Sequence, residues 1–226
     1  MAVDFAYPNA DAAQRGWGAG WPNCQVNRMV PLVAAGVAFG SIRSEILDLV
    51  ELLVAETARR GYPPKGGQCF GFACRATKRA DGSYTTIPSN HSWGLAIDYN
   101  TLENVYGAPQ AASVIATKQK WMPPLWKDYG FRWLGPAIAD WEHFDFAGTP
   151  TDAAKMTAKA HTNLGGGDAV KELDDYTDGR DKFHDALKAA GADPGDAPAN
   201  WNNAYRILGW RQARADFKNA ALAPKP

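Results

Sequence analysis

The sequence predicts an α+β fold: a small, mostly antiparallel sheet bearing a metal site, flanked by helices and followed by a C-terminal helical extension. Three observations point there. Short apolar or aromatic runs, Leu95-Ala96-Ile97-Asp98-Tyr99, Phe131-Arg132-Trp133 and residues 141–146, are bounded by Gly or Pro and read as strands. One stretch carries Ile42, Ile46, Leu49, Val50 and Leu53 at helical spacing. After Gly148-Thr149-Pro150 the aromatics thin out while Ala, Asp and Lys rise, which marks a change of module.

In chain order, residues 1–40 are rich in Gly, Pro and Trp and read as irregular structure, with Trp17 and Trp21 covering the core. Ser41 is the N-cap candidate for the first helix. Arg59 and Arg60 favour its negative end, and Gly61, Pro63 and Pro64 stop it. Residues 65–88 are polar and Gly-rich, with Phe70, Phe72 and Ala73 as a strand candidate. A helix over 109–120 halts before Pro123-Pro124, and a second helical turn ends at Gly130. The tail offers helices at 151–162, 168–190 and 199–221, broken by Gly165-Gly166-Gly167 and by 191–198. The expected domains are residues 1–150, carrying the chemistry, and a helical tail, 151–226.

The 226 residues suffice for one full domain and a small second one. Lys+Arg and Asp+Glu both number 24, and eleven of each fall after residue 150, so neither part has the basic excess of a nucleic-acid binder. Cys24, Cys69 and Cys74 are an odd set, which fits reduced, partly buried thiols; a Cys69–Cys74 pair is the other option. No basic n-region or apolar h-region opens the chain, and no apolar run is long enough to span a bilayer. The expectation is a monomer made in the cytoplasm without stable membrane insertion.

Chemistry concentrates in two segments, Ser89-Asn90-His91-Ser92-Trp93-Gly94-Leu95-Ala96-Ile97-Asp98 and Asp140-Trp141-Glu142-His143-Phe144. Two imidazoles and one carboxylate leave an open position on a tetrahedral zinc, and a spare acid can move protons there. His91 and Asp98 would point to opposite faces of an unbroken strand, but Gly94 permits a turn that lets them converge. In the later strand Phe144 and Phe146 face the core, while His143 and Asp145 share the other face. Each pattern alone also fits surface or satisfied core residues, so the residues by themselves leave a metal site and a structural role both open. His161 and His184 read as solvated tail residues.

The first segment resembles the zinc signature of the D-Ala-D-Ala carboxypeptidase/VanY-like peptidases, peptidase family M15, through Ser89, His91, Gly94, Ala96 and Asp98. Asp140-Trp141-Glu142-His143 is similar to the family's later acid-x-x-His motif, and Gly130-Phe131-Arg132-Trp133 and Cys74-Arg75 also resemble it. The resemblance covers roughly residues 40–147 and lies nearest the phage endolysin branch, whose members cut peptidoglycan peptides. It implies that His91, Asp98 and His143 ligate Zn2+, that Asp140 is the general base and acid, and that Arg75 steadies developing negative charge or grips a substrate carboxylate. Glu142 is the rival base, set aside because strand alternation turns it away; Arg79 competes with Arg75. Ser89 and Ser92 orient the turn or ligands, and Asp145 is either a partner of a ligand or a surface acid.

The implied function is a zinc-dependent peptidoglycan peptidase, an endolysin that hydrolyses a stem-peptide bond through a zinc-bound water and reaches the wall after release through a holin pore. A D-alanyl-D-alanine carboxypeptidase of wall remodelling is the alternative. An iron oxygenase fits poorly, because its His and Asp are commonly separated by one residue. A zinc-containing wall-binding module has no need of Asp140. The tail, 151–226, is read either as a wall-binding module or as an extension completing the fold.

Overall fold

A computed structural model gives the structure of residues 11–79 and 81–164. The predicted helices at 168–190 and 199–221, with His184, lie outside the described residues. The α+β class holds: small antiparallel sheets alternate with short helices.

Strands β1 (Met29–Ala34) and β2 (Val37–Arg43) form a hairpin where irregular structure was expected. Ala35 and Gly36 both have positive φ, 47° and 79°, the conformation of a tight hairpin turn whose twist matches the strands. Ser41 is therefore no helix cap: it pairs with Pro31, and Ile42 pairs with Val30. Helix α1 (Leu47–Arg59) starts only after a single 3₁₀ turn (Ser44–Ile46). Its apolar stripe is as read, with Leu49, Val50, Leu53 and Val54 buried. Arg59 and Arg60 close its end by bonding Glu56, at 2.6 and 2.7 Å.

Phe70, Phe72 and Ala73 do not make a strand; Phe70 forms one isolated bridge to Asp98. The pairing residues of this region are β3 (Ala76–Lys78) and β4 (Tyr84–Pro88), a second hairpin. A 3₁₀ turn (Asn90–Trp93) then leads to β5 (Ala96–Asp98). The expected helix over 109–120 shrinks to a 3₁₀ turn (Gln110–Ala112) and α2 (Val114–Thr117). Pro123 and Pro124 sit in the first turn of α3 (Met122–Asp128), where a missing N–H costs no hydrogen bond, so they open a helix rather than end one.

Strand β6 (Phe131–Trp133), the turn-length α4 (Gly135–Ile138) and β7 (His143–Phe146) follow. The sheet order is β5-β7-β6, antiparallel throughout. Trp126 packs against it, its ring 5.1 Å from Phe131 and 5.0 Å from Phe144. Burying such rings stabilises the fold by about 1.5–3 kcal/mol each. Helix α5 (Pro150–Asn163) matches the first predicted tail helix. Thr149 and Asp152 form its capping box, and Ala153 and Ala160 lie in the core on the side of α1.

The cysteine reading is corrected in part. Cys24 is bonded to Cys74, and Cys69 is free. Cys69 faces inward, its Sγ donating to Asn100 Oδ1 at 3.4 Å, whereas the exposed Cys74 meets the N-terminal segment. A bridge over a sequence separation of 50 removes chain entropy from the unfolded state, worth about 4 kcal/mol in the loop-closure model. Thermal melts of wild type and Cys24→Ser should therefore differ by about 10 °C, with reductant reproducing the variant; superimposable melts would contradict this linkage.

Candidate metal centre

The centre is built where β5 and β7 lie side by side. Their register sets Asp98 directly opposite His143, which puts both side chains on one face. His91 arrives from the 3₁₀ turn before β5. Ser89 caps that turn, its Oγ accepting from the His91 N–H, and Ser92 Oγ donates to the Ser89 carbonyl at 2.7 Å. Both serines thus shape the turn. Gly94 ends it in the left-handed conformation (φ 66°), and a Cβ there would lie 2.7 Å from the Arg43 nitrogen. Only glycine meets both demands.

His91 Nε2, Asp98 Oδ1 and His143 Nδ1 form a nearly equilateral triangle, with sides of 3.2, 3.1 and 3.1 Å. Donors about 2.0 Å from a tetrahedral ion are spaced about 3.3 Å apart, so this triangle fits one face of such a shell. The donor chemistry, two imidazoles and a carboxylate, suits zinc. His91 Nδ1 lies 2.6 Å from the Gly71 carbonyl. A carbonyl only accepts, so Nδ1 carries the proton and Nε2 presents its lone pair to the triangle. Burial alone would raise the Asp98 carboxyl, but the two imidazoles hold it well below the usual carboxylate range. Burial alone would lower His143, yet Asp98 beside it lifts it to about 9.

Asp140 borders the triangle. Its Oδ1 is buried without a hydrogen-bond partner among the described residues. Burial and the nearby Asp98 charge raise its pKa, against the pull of the imidazoles and Arg75. Glu142 does not turn away as alternation suggested. It lies in the turn before β7, where the two-residue period does not apply, and its carboxylate comes within 4.8 Å of those of Asp98 and Asp140. Burial, with those two carboxylates, pushes it up to about 8. The centre therefore holds two spare acids.

Arg75 lines a cleft of about 500 Å³ together with His91, Asp98, Phe70, Gly71 and Gly40. Arg79 is elsewhere, at the exposed end of the β3–β4 hairpin, bonded to Ser83 and Tyr84. Asp145 is no surface acid: it is 1% exposed and paired through both oxygens with Arg132 at 2.8 Å. Burial opposes its charge, but Arg132 holds the carboxyl below its ordinary range. His161 is half-buried on α5 and takes no part in the triangle. Sequence reasoning missed Asn90, Arg15 and Gly71. Asn90 and Arg15 bond across 75 residues, and Gly71 contributes only its carbonyl, which no side-chain pattern reveals.

Residues 83–146 match a family model described as D-alanyl-D-alanine carboxypeptidase. The matched stretch contains His91, Asp98, Asp140 and His143, and it supports the M15 D-Ala-D-Ala carboxypeptidase-like family and, in general terms, a peptidoglycan-acting metallopeptidase. No curated protein and no solved structure gives a match.

Elemental analysis of the purified protein should find about one zinc per chain, and His91→Ala should lose most of it. Equal zinc in both proteins would remove His91 from the ligand set.

Proposed function

We propose, on the premise of the M15 D-Ala-D-Ala carboxypeptidase-like family that residues 83–146 support, that the chain is a zinc-dependent endopeptidase of peptidoglycan stem peptides, acting as a bacteriophage endolysin. The observation that carries this reading is the donor triangle of His91, Asp98 and His143 beside a half-buried acid, Asp140, whose buried Oδ1 has no hydrogen-bond partner among the described residues.

His91, Asp98 and His143 would hold the zinc ion, which would supply an acidified water and a Lewis acid for the peptide carbonyl. Asp140 takes the proton of the attacking water and returns one to the leaving amine. Burial raises its pKa above the ordinary aspartate range, the direction that makes a carboxylate a better proton acceptor. Glu142, whose carboxylate lies within 4.8 Å of those of Asp98 and Asp140, is the rival base. Arg75, lining the cleft with His91 and Asp98, steadies negative charge developing on the carbonyl oxygen or binds a stem carboxylate. The disulfide suits a site of action outside the reducing cytoplasm. No helix among the described residues is long and apolar enough to cross a membrane, which suits a substrate in the wall. Release through a holin pore belongs to this reading.

The family description names a carboxypeptidase, so the bond cut is the second question. Mass spectrometry of digested muropeptides should show cleavage inside the stem; release of a single terminal D-Ala would favour the carboxypeptidase instead. On cell-wall zymograms, clearing should vanish with chelator and return with zinc, and clearing that ignores the chelator would sink the zinc reading.

Asp140→Asn should retain zinc and lose activity by about 10²–10⁴-fold, with Glu142→Gln losing far less. The reverse ranking in a peptide-release assay would make Glu142 the base.

A further inference from the structure

Behind the triangle lies a buried polar network that the proposed chemistry does not use. Asp145 follows His143 by two residues on β7 and shares its face. Its Oδ1 and Oδ2 accept from Arg132 Nε and Nη2, at 2.8 Å each. Oδ2 also accepts from Asn90 Nδ2 at 2.6 Å and lies 3.9 Å from His143 Nε2. Arg15, itself 3% exposed, donates to Asn90 Oδ1 at 3.3 Å and to the carbonyls of Phe146 and Gly148 at 2.9 Å. Arginine only donates and a carboxylate only accepts, so the Asn90 amide has one allowed orientation between them.

Two features make this more than a stabilising ion pair. His143 turns Nδ1 toward Asp98 and His91, so its other nitrogen, Nε2, must point away and carry the proton when Nδ1 is a ligand. The carboxylate on that side is Asp145. Asn90, which Asp145 holds, opens the 3₁₀ turn that carries His91. One buried carboxylate thus faces His143 Nε2 across 3.9 Å and, through a single amide, holds the turn that carries His91.

We infer that Asp145 is the positioning residue of the metal centre, its charge facing His143 Nε2 across 3.9 Å and favouring the tautomer protonated there, and its bond to Asn90 fixing the His91 turn, with Arg132 and Arg15 holding Asp145 and Asn90 in place. The inference rests on the zinc reading above and adds to it a residue set that touches neither metal nor substrate. It separates the network's effect on metal binding from its effect on folding. A purely structural ion pair would change the melting temperature of the zinc-free protein and leave the affinity of the folded protein as it was.

The test is Zn2+ affinity, by competition with a chromogenic chelator, on the full chain as wild type, Asp145→Asn and Asn90→Ala, with melting temperatures of the zinc-free proteins in parallel. Asp145→Asn should weaken zinc binding by about 10–100-fold and Asn90→Ala by about tenfold, more than their shifts in melting temperature account for. Wild-type affinity in the folded variants, whatever their melting temperatures, overturns the inference. Should Asp145→Asn fail to fold, Asn90→Ala decides alone, because it keeps the Arg132–Asp145 pair. A wild-type chain that binds no zinc defeats the zinc reading instead, which is a separate outcome.

Discussion

Two imidazoles and a carboxylate from separate segments are brought within 3.2 Å of one another by the backbone, and the rest of the site depends on that convergence. Asp98 and His143 meet because β5 and β7 are in antiparallel register, a constraint set by backbone hydrogen bonds and by Phe144 and Phe146 facing the core. A slip of one residue would turn His143 inward and a phenylalanine outward, so the aromatic core beneath the strand is also what aims the imidazole. His91 is placed by a turn that only Gly94 can end. Stability and chemistry share these few constraints.

The convergence sets the local electrostatics. Asp98, between two imidazoles, keeps its charge in spite of burial. That charge in turn helps to hold Asp140 and Glu142 toward their protonated forms. A bound cation would reverse the bias, because it favours the ionised form of every carboxylate around it. The two spare acids are thus tuned by the same group that completes the triangle, which suits proton transfer next to a Lewis acid.

The parts legible in the sequence were those in which a local rule decides. The apolar runs before Asp98 and around Phe131 and Phe144 are strands, and His91, Asp98 and His143 meet as the turn at Gly94 allows. The hairpin at residues 29–43 escaped because Ala35-Gly36 lacks the Asn-Gly signature, although Ala35 adopts the same positive φ. Ile42 at helical spacing from Ile46 was a coincidence of a strand end running into a helix start. Pro123-Pro124 were read as a stop when their place in a first turn makes them a start. Glu142 was turned away by a period-two rule that fails one residue outside the strand. The Cys24–Cys74 bond and the Arg15–Asn90–Asp145 chain join distant segments, and no local pattern encodes such contacts.

The central claim is that His91 Nε2, Asp98 Oδ1 and His143 Nδ1 hold one zinc ion. Zinc-edge X-ray absorption on the metal-loaded protein tests it most directly. The account predicts nitrogen and oxygen neighbours at about 2.0–2.1 Å, with the outer-shell scattering of two imidazoles and no sulfur. A sulfur neighbour at about 2.3 Å, which would implicate the buried Cys69, or the scattering of fewer than two imidazoles would contradict it.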